Sequence, residues 1–321
     1  MKQKSITVSP YGSLSLVTMV RKFVNSSMGY DADLQSASHR QESIIKGRIP
    51  YGVTILSPLV EEHSHLFDCL EKEQIENFGR THRIPTECIL ETIPEREEGV
   101  KKVIGLSSVN VMLRWPEMYK PRRAELSMGS NGTRRKVKCI SLLAQQTASA
   151  KGLGAFPRVY AACFEIGDLR VEIVKVNEFL KDKREVFPKK VVVDLDAEGL
   201  LDACKKKIIY VPCSRPTIVR VPVFNSEDIQ EDHLKGIHYE DFLPGGRHKS
   251  IQIVASEVTA SLGVDFGDVA SELSPEIKTS ASSEPPLILN PDGGMFFIVR
   301  HKKIYTPLVV AYVPEEEYQE V

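Results

Sequence analysis

Eight cationic side chains are crowded into residues 114–138, where only Glu117 and Glu125 oppose them. This segment, the basic connection, therefore carries a local charge of about +6 in a chain whose net charge is -1. Its cations are Arg114, Lys120, Arg122, Arg123, Arg134, Arg135, Lys136 and Lys138. Neighbouring Lys and Arg side chains repel one another unless an anion shares the site, and phosphates satisfy them with release of counterions. The basic connection therefore predicts contact with nucleic acid or another anionic partner.

Two aromatic residues, Trp115 and Tyr119, lie within the basic connection. Aromatic rings beside cationic side chains can stack on unpaired bases, so both rings are expected to contribute to single-strand binding. The alternatives are that the cations form a solvated loop and that Trp115 anchors the core.

Residues suited to catalysis or metal binding do not form a recognisable motif in this sequence. Its six cysteines are widely scattered, and the closest two, Cys204 and Cys213, are nine residues apart. His63, His65 and His82 have no Cys or carboxylate at a persuasive ligand spacing. Neither a G-x-S-x-G motif nor a phosphate-binding glycine loop is present. We therefore expect no catalytic residue, metal ion or cofactor, and we expect that the chain is not an enzyme, with an enzyme of unknown class as a third alternative for its function.

The elements that position the basic connection are mostly predicted β-strands. Short runs rich in β-branched residues extend from Val103 to Phe224, and alternation is clear in Leu169-Arg170-Val171-Glu172-Ile173. Leu59, His63, Leu66, Phe67 and Leu70 recur at spacings of three and four, which predicts an amphipathic helix within 55–78. The expected class is mainly β (α+β), with an antiparallel β-sandwich or jelly-roll-like core and a few accessory helices.

Composition divides the chain into four predicted segments. Residues 1–50 form a polar arm, and 51–272 form the β-rich core. Residues 273–286 form a Ser- and Pro-rich linker, and 287–321 form a closing hairpin with an acidic tail. No signal-peptide pattern and no uninterrupted apolar run of membrane-spanning length occurs, so an intracellular location is expected.

The order of strands and turns in 137–195 resembles the central block of the thirty-kilodalton superfamily of plant-virus movement proteins. The corresponding features are the strand Val137–Leu143, the Leu153-Gly154 turn, the strand pair in 159–176 and the strand formed by Val191, Val192 and Val193. That family's aspartate after the first strand has no counterpart in Leu143-Ala144-Gln145-Gln146, so no functional residue is carried over.

This resemblance implies a non-enzymatic, self-associating viral protein that binds nucleic acid non-specifically during cell-to-cell movement. Its partners would be single-stranded nucleic acid or nucleoprotein, with peripheral contact to anionic membrane, in the host cytoplasm and cell periphery. The run 158–193 also resembles the matrix proteins of negative-strand RNA viruses. That alternative implies binding to anionic membrane and nucleocapsid.

Overall fold

The computed structural model describes residues 7–8, 63–95, 97–128, 134–150, 158–175, 208–231, 234–243, 247–267, 285–291, 294–302 and 307–321. Nearly all of the predicted polar arm and linker lie outside these ranges, as does the strand predicted around Val191–Val193. The division at 50, 272 and 286 therefore stays a prediction.

Strands dominate the part of the chain that the structure describes. They are β1 (Thr7–Val8), β2 (Ser64–Asp68), β3 (Val100–Leu113), β4 (Arg122–Met128), β5 (Arg135–Ala150), β6 (Arg158–Ile166), β7 (Leu169–Lys175), β8 (Val211–Pro222), β9 (Phe224–Glu231), β10 (His238–Leu243), β11 (Arg247–Val264), β12 (Leu287–Leu289), β13 (Met295–His301) and β14 (Pro307–Val313). The helices are α1 (Lys72–His82), α2 (Glu87–Glu91) and two 3-10 turns, Glu117–Tyr119 and Glu315–Glu317.

These strands form two sheets. The nine-stranded sheet has the order β1-β14-β13-β7-β6-β5-β8-β12, and β4 pairs with β5 beside this path. Its pairs are antiparallel except for β12 and β8, which run parallel. The five-stranded sheet has the order β10-β11-β3-β2, and β9 pairs with β11.

The chain separates into two compact units that interleave in sequence. One comprises residues 1–8, 111–227 and 261–321, and the other comprises 9–110 and 228–260. The first contains the nine-stranded sheet, and the second contains β2, both α-helices, β10 and the longer parts of β3 and β11. A sandwich or jelly roll would pair two antiparallel sheets within one unit. The prediction of that architecture is therefore wrong.

Strand β5 is central to the nine-stranded sheet because it pairs with β4, β6 and β8. Its side chains Val137, Cys139, Ile140 and Leu142 are fully buried although they alternate between the two faces. A strand covered on both faces carries apolar residues at both alternating positions, and Val137–Leu143 is apolar except at Lys138 and Ser141.

In the second unit, α1 packs against β2 and β3 through a small apolar core. Phe67, Ile75, Ile104 and Leu106 are buried in it. Gly79 lies where α1 meets the following loop, and a Cβ there would stand 2.5 Å from the Thr86 Cγ2 atom. This close approach explains why the last turn of α1 contains a glycine.

A charged network lies on one face of β7 and β13, where Glu172 and Arg300 are buried. Glu172 Oε1 lies 3.2 Å from Arg300 Nε and 3.3 Å from Arg170 Nε. The Tyr210 hydroxyl donates to Glu172 Oε2 at 3.3 Å, and the guanidinium of Arg170 lies over the Tyr210 ring. Burial and the neighbouring carboxylate raise the pKa of Tyr210 well above 10. Glu172 therefore accepts hydrogen bonds from Arg300 and Tyr210 and forms an ion pair with Arg170.

Candidate anion-binding surface

In the β4–β5 hairpin, cations of the basic connection lie on both faces of the sheet. Arg122 pairs with Ser141, Arg123 with Ile140 and Met128 with Arg135. Because residues directly opposite in antiparallel strands share a face, Arg122 and Arg135 lie on one face. We call this the Arg122 face. Arg123, Lys136 and Lys138 lie on the other, the Arg123 face.

On the Arg123 face, part of the positive charge is already offset. Lys136 Nζ lies 3.2 Å from Glu125 Oε2, and Glu125 is directly opposite Lys138. The Arg123 guanidinium lies over the Phe266 ring, 4.7 Å from its centroid. This cation–π contact orients Arg123, which keeps an exposed side chain.

Arg135 is held by the acidic tail. It donates to the carbonyl of Glu315, and its Nη1 atom lies 3.6 Å from Glu320 Oε1. The tail itself lies along β5, because the Lys138 N–H donates to the Gln319 carbonyl at 2.8 Å and the Val321 N–H donates to the Lys136 carbonyl at 3.1 Å. Arg135 therefore has a structural role, and it is a weaker candidate for ligand contact than its neighbours.

The remaining cations lie at the two ends of β4. Arg114, Lys120 and Arg122 are exposed before or at its start, and Arg134 is exposed at the end of the hairpin where β5 begins. Among the described strands β4 pairs with β5 alone, so β4 is an edge strand there. Seven residues of strand span about 20 Å. The cations thus flank an edge of that length.

Trp115 and Tyr119 lie in the core and not on this surface. Trp115 packs edge-to-face on Phe164 with ring centroids 5.2 Å apart, and Tyr119 packs on the same ring at 5.0 Å. The Tyr119 hydroxyl donates to the Glu165 carbonyl at 3.1 Å and accepts from the Glu165 N–H at 2.8 Å. Neither ring exposes a face on which a base could stack. Their structural role is to fix the connection between β3 and β4 to β6.

The structure adds residues to the Arg122 face that the basic connection does not contain. Ser141 lies between Arg122 on β4 and Arg220 on β8, directly opposite both. Arg220 Nη1 donates to Asn290 Oδ1 at 3.3 Å, next to the end of β12. The signal for Arg220 in the sequence was its place within the alternating run Val219-Arg220-Val221, where a lone cation interrupts a strand.

The buried thiols of β5 and β6 are poorly suited to act as nucleophiles. Burial raises the pKa of Cys139 to about 12 and that of Cys163 to about 11. A thiol protonated at neutral pH is neither an effective nucleophile nor a metal ligand. Cys213 is half-buried, and its thiol lies 3.7 Å from the Thr147 hydroxyl.

The histidines considered as metal ligands give a pair in the second unit. His63 Nδ1 and His82 Nδ1 lie 2.8 Å apart, so one ring donates a hydrogen bond to the other. Burial and the neighbouring His63 lower the pKa of His82 below 6.5. Within the described residues, no group of three His, Cys, Asp or Glu side chains could hold a metal ion.

From the histidine pair we predict that the protein is less stable in mild acid than at neutral pH. Because the native pKa of His82 is depressed, the unfolded chain takes up this proton at higher pH than the native chain does. The free energy of unfolding should therefore fall as pH drops from about 7 to about 5. We expect His82→Gln to reduce this slope in urea titrations, whereas the control His65→Gln keeps it. An unchanged slope in His82→Gln would contradict the prediction.

No helix in the described part of the chain is long and apolar enough to cross a membrane. No protein-family model matches the chain, and no curated protein matches it significantly.

Serpins are among the solved structures that are similar to this chain. Native protease nexin-1 with heparin has a TM-score of 0.48 and 11% identity, covering 98% of this chain and 93% of that chain. Serpin48 of the insect Tenebrio molitor has a TM-score of 0.46 and 12% identity, covering 97% and 92%. Human thyroxine-binding globulin has a TM-score of 0.48 and 9% identity, covering 98% and 92%.

These similarities contradict the expected viral relationship. Since the similar structures are serpins, the predicted resemblance to movement proteins is wrong, and so is the matrix alternative. The expected viral function, the expected nucleic-acid, nucleoprotein and membrane partners, and the expected intracellular location in the host cytoplasm are wrong as well.

Proposed function

We propose that this chain is a non-catalytic binding protein that holds a linear sulfated polyanion along the edge strand β4. The observation that supports the proposal most is the distribution of cations at both ends of that strand. Lys120 and Arg122 are exposed at one end, and Arg134 is exposed at the other. A polymer with regularly spaced anionic groups can bridge the intervening distance of about 20 Å.

The chemistry of the edge favours sulfate groups over bases. Arginine offers a planar fork of donors that matches the geometry of phosphate and sulfate oxygens. Binding through charge alone requires no stacking surface, and the aromatic rings of this region are buried. The proposal therefore depends on the cations and not on Trp115 or Tyr119.

The absence of catalysis is part of the proposal. Cys139 and Cys163, the buried thiols of the sheet, are held in their protonated form by burial. The charged network around Glu172 is buried and internally paired, as expected of a structural element.

The test is binding of a fluorescent sulfated polysaccharide at several salt concentrations. The triple variant Lys120→Gln/Arg123→Gln/Arg134→Gln should lose at least tenfold in affinity at moderate salt. The slope of log affinity against log salt should fall by about one for each contact removed. All three side chains are exposed, so the variant should retain its melting temperature.

A matched control removes the same charge from another surface. Lys72, Arg80 and Arg83 are exposed on and just after α1, and Lys72→Gln/Arg80→Gln/Arg83→Gln changes the net charge equally. If both triple variants lose affinity to the same extent, binding depends on net charge and the β4 edge is not the site. If neither loses affinity, the polyanion does not bind through these cations.

A further inference from the structure

Four polar residues form a row across four adjacent strands on the Arg122 face. Arg122 of β4, Ser141 of β5 and Arg220 of β8 lie directly opposite one another, and Asn290 follows β12 beside Arg220. Neighbouring strands are about 4.8 Å apart, so the two arginine backbones lie about 10 Å apart with Ser141 between them. Both guanidinium groups can therefore reach a ligand that sits over the Ser141 hydroxyl.

The surroundings of this row are apolar. Two residues along each strand, on the same face, the side chains are apolar. On one side of the row these are Ala124 of β4, Cys139 of β5 and Pro222 of β8. On the other side the neighbours are Leu143, Ile218 and Ile288. No carboxylate occupies any of these neighbouring positions, and apolar surroundings strengthen the attraction between a cation and an anion.

The Nε–H group of Arg220 is a buried hydrogen-bond donor. Its Nη1 atom donates to Asn290, whereas its buried Nε atom has no hydrogen-bond partner among the described residues. A buried donor left unpaired is costly, and such groups are usually satisfied by water or an ion. The cationic donor, the second arginine and the hydroxyl together provide the donors that a tetrahedral oxyanion accepts.

We propose that the row of Arg122, Ser141, Arg220 and Asn290 binds a single sulfate or phosphate group. Arg122 and Arg220 hold its oxygens from opposite sides, Ser141 donates from below, and Asn290 orients Arg220. The inference deepens the proposed function, because Arg122 belongs to both and the row can bind one sulfate of a polymer. It also accommodates free phosphate, which presents the same oxygens.

The test is calorimetric titration with inorganic phosphate and, separately, inorganic sulfate, at ionic strength kept constant with sodium chloride. The wild-type chain should bind one anion saturably. Arg220→Gln should weaken binding at least tenfold, and Ser141→Ala should weaken it severalfold while the melting temperature is unchanged. Arg80→Gln, which removes an exposed cation on α1, should bind as wild type does.

The outcomes separate this inference from the proposed function. Saturable binding of the inorganic anion that is lost in Arg220→Gln supports the row even if the polysaccharide does not bind. Polysaccharide binding that depends on Lys120, Arg123 and Arg134 but not on Arg220 supports the β4 edge and overturns the claim that the row binds one sulfate of the polymer. Wild-type affinity in both Arg220→Gln and Ser141→Ala overturns it as well. If Arg220→Gln does not fold, the Ser141→Ala titration decides.

Discussion

Replacing Glu172 with leucine is expected to lower the free energy of unfolding by about 3–5 kcal/mol. Glu172 is buried, and its carboxylate accepts hydrogen bonds from Arg300 and Tyr210 and forms an ion pair with Arg170. Leucine fills a similar volume but leaves the buried Arg300 guanidinium without this counter-charge. The loss should therefore reflect an uncompensated buried charge and not a cavity. Urea denaturation followed by circular dichroism measures it.

Two further variants identify the cause of that loss. Glu125→Gln breaks an exposed ion pair with Lys136, and it should change stability by less than about 1 kcal/mol. The double variant Glu172→Leu/Arg300→Met should recover a substantial part of the loss, because a buried ion pair can often be replaced by apolar residues. If Glu172→Leu is as mild as Glu125→Gln, the network does not contribute to stability as argued.

The strands of this fold were predictable wherever the sequence carries a strong local pattern. Val103–Leu113, Val137–Leu143 and Leu169–Val176 are rich in β-branched residues, and β3, β5 and β7 contain nearly all of their residues. The strands β13 and β14 pair antiparallel within 287–321, the segment for which a closing hairpin is predicted. These assignments succeed because burial on both faces demands apolar, β-branched side chains.

Strand β4 was not predicted, because its sequence Arg122–Met128 looks like a solvated connection. It is a strand through its pairing with β5, which supplies its backbone hydrogen bonds. The segment around His63–Phe67 shows the opposite error. Its apolar spacing of three and four predicted a helix, whereas Ser64–Asp68 pairs with β3 and the helix begins at Lys72. Tertiary pairing overrides local pattern in both segments.

The candidate site could be predicted only in part, for a geometric reason. The basic connection was visible as a charge cluster, but the alternation of β4 and β5 divides its cations between two faces. Ser141 and Arg220 join Arg122 through a register between strands nearly eighty residues apart in sequence. Sequence shows which residue types occur in each strand. It does not show which residues of distant strands lie opposite one another.

Replacing Phe164 with alanine should lower the free energy of unfolding by about 3–5 kcal/mol and should also weaken polyanion binding. Phe164 is fully buried, and both Trp115 and Tyr119 pack edge-to-face on its ring. Those two residues hold the chain that carries Arg114, Lys120 and Arg122. Removing the ring therefore gives these cations more conformational freedom in the unbound protein. Binding must then overcome a larger loss of conformational entropy. Urea denaturation and polysaccharide titration of the folded variant measure the two effects.

Phe297→Ala is the matched control for this coupling between core and surface. Phe297 is equally buried in the same sheet, but its ring packs on Phe224 and not on the basic connection. We expect Phe297→Ala to lower the free energy of unfolding by a similar amount. Its folded fraction should bind the polysaccharide with wild-type affinity. Phe164→Leu keeps most of the volume and removes only the aromatic contacts, so its effects should be intermediate. Equal affinities in Phe164→Ala and Phe297→Ala would show that the aromatic cluster supports the fold alone and does not position the cations.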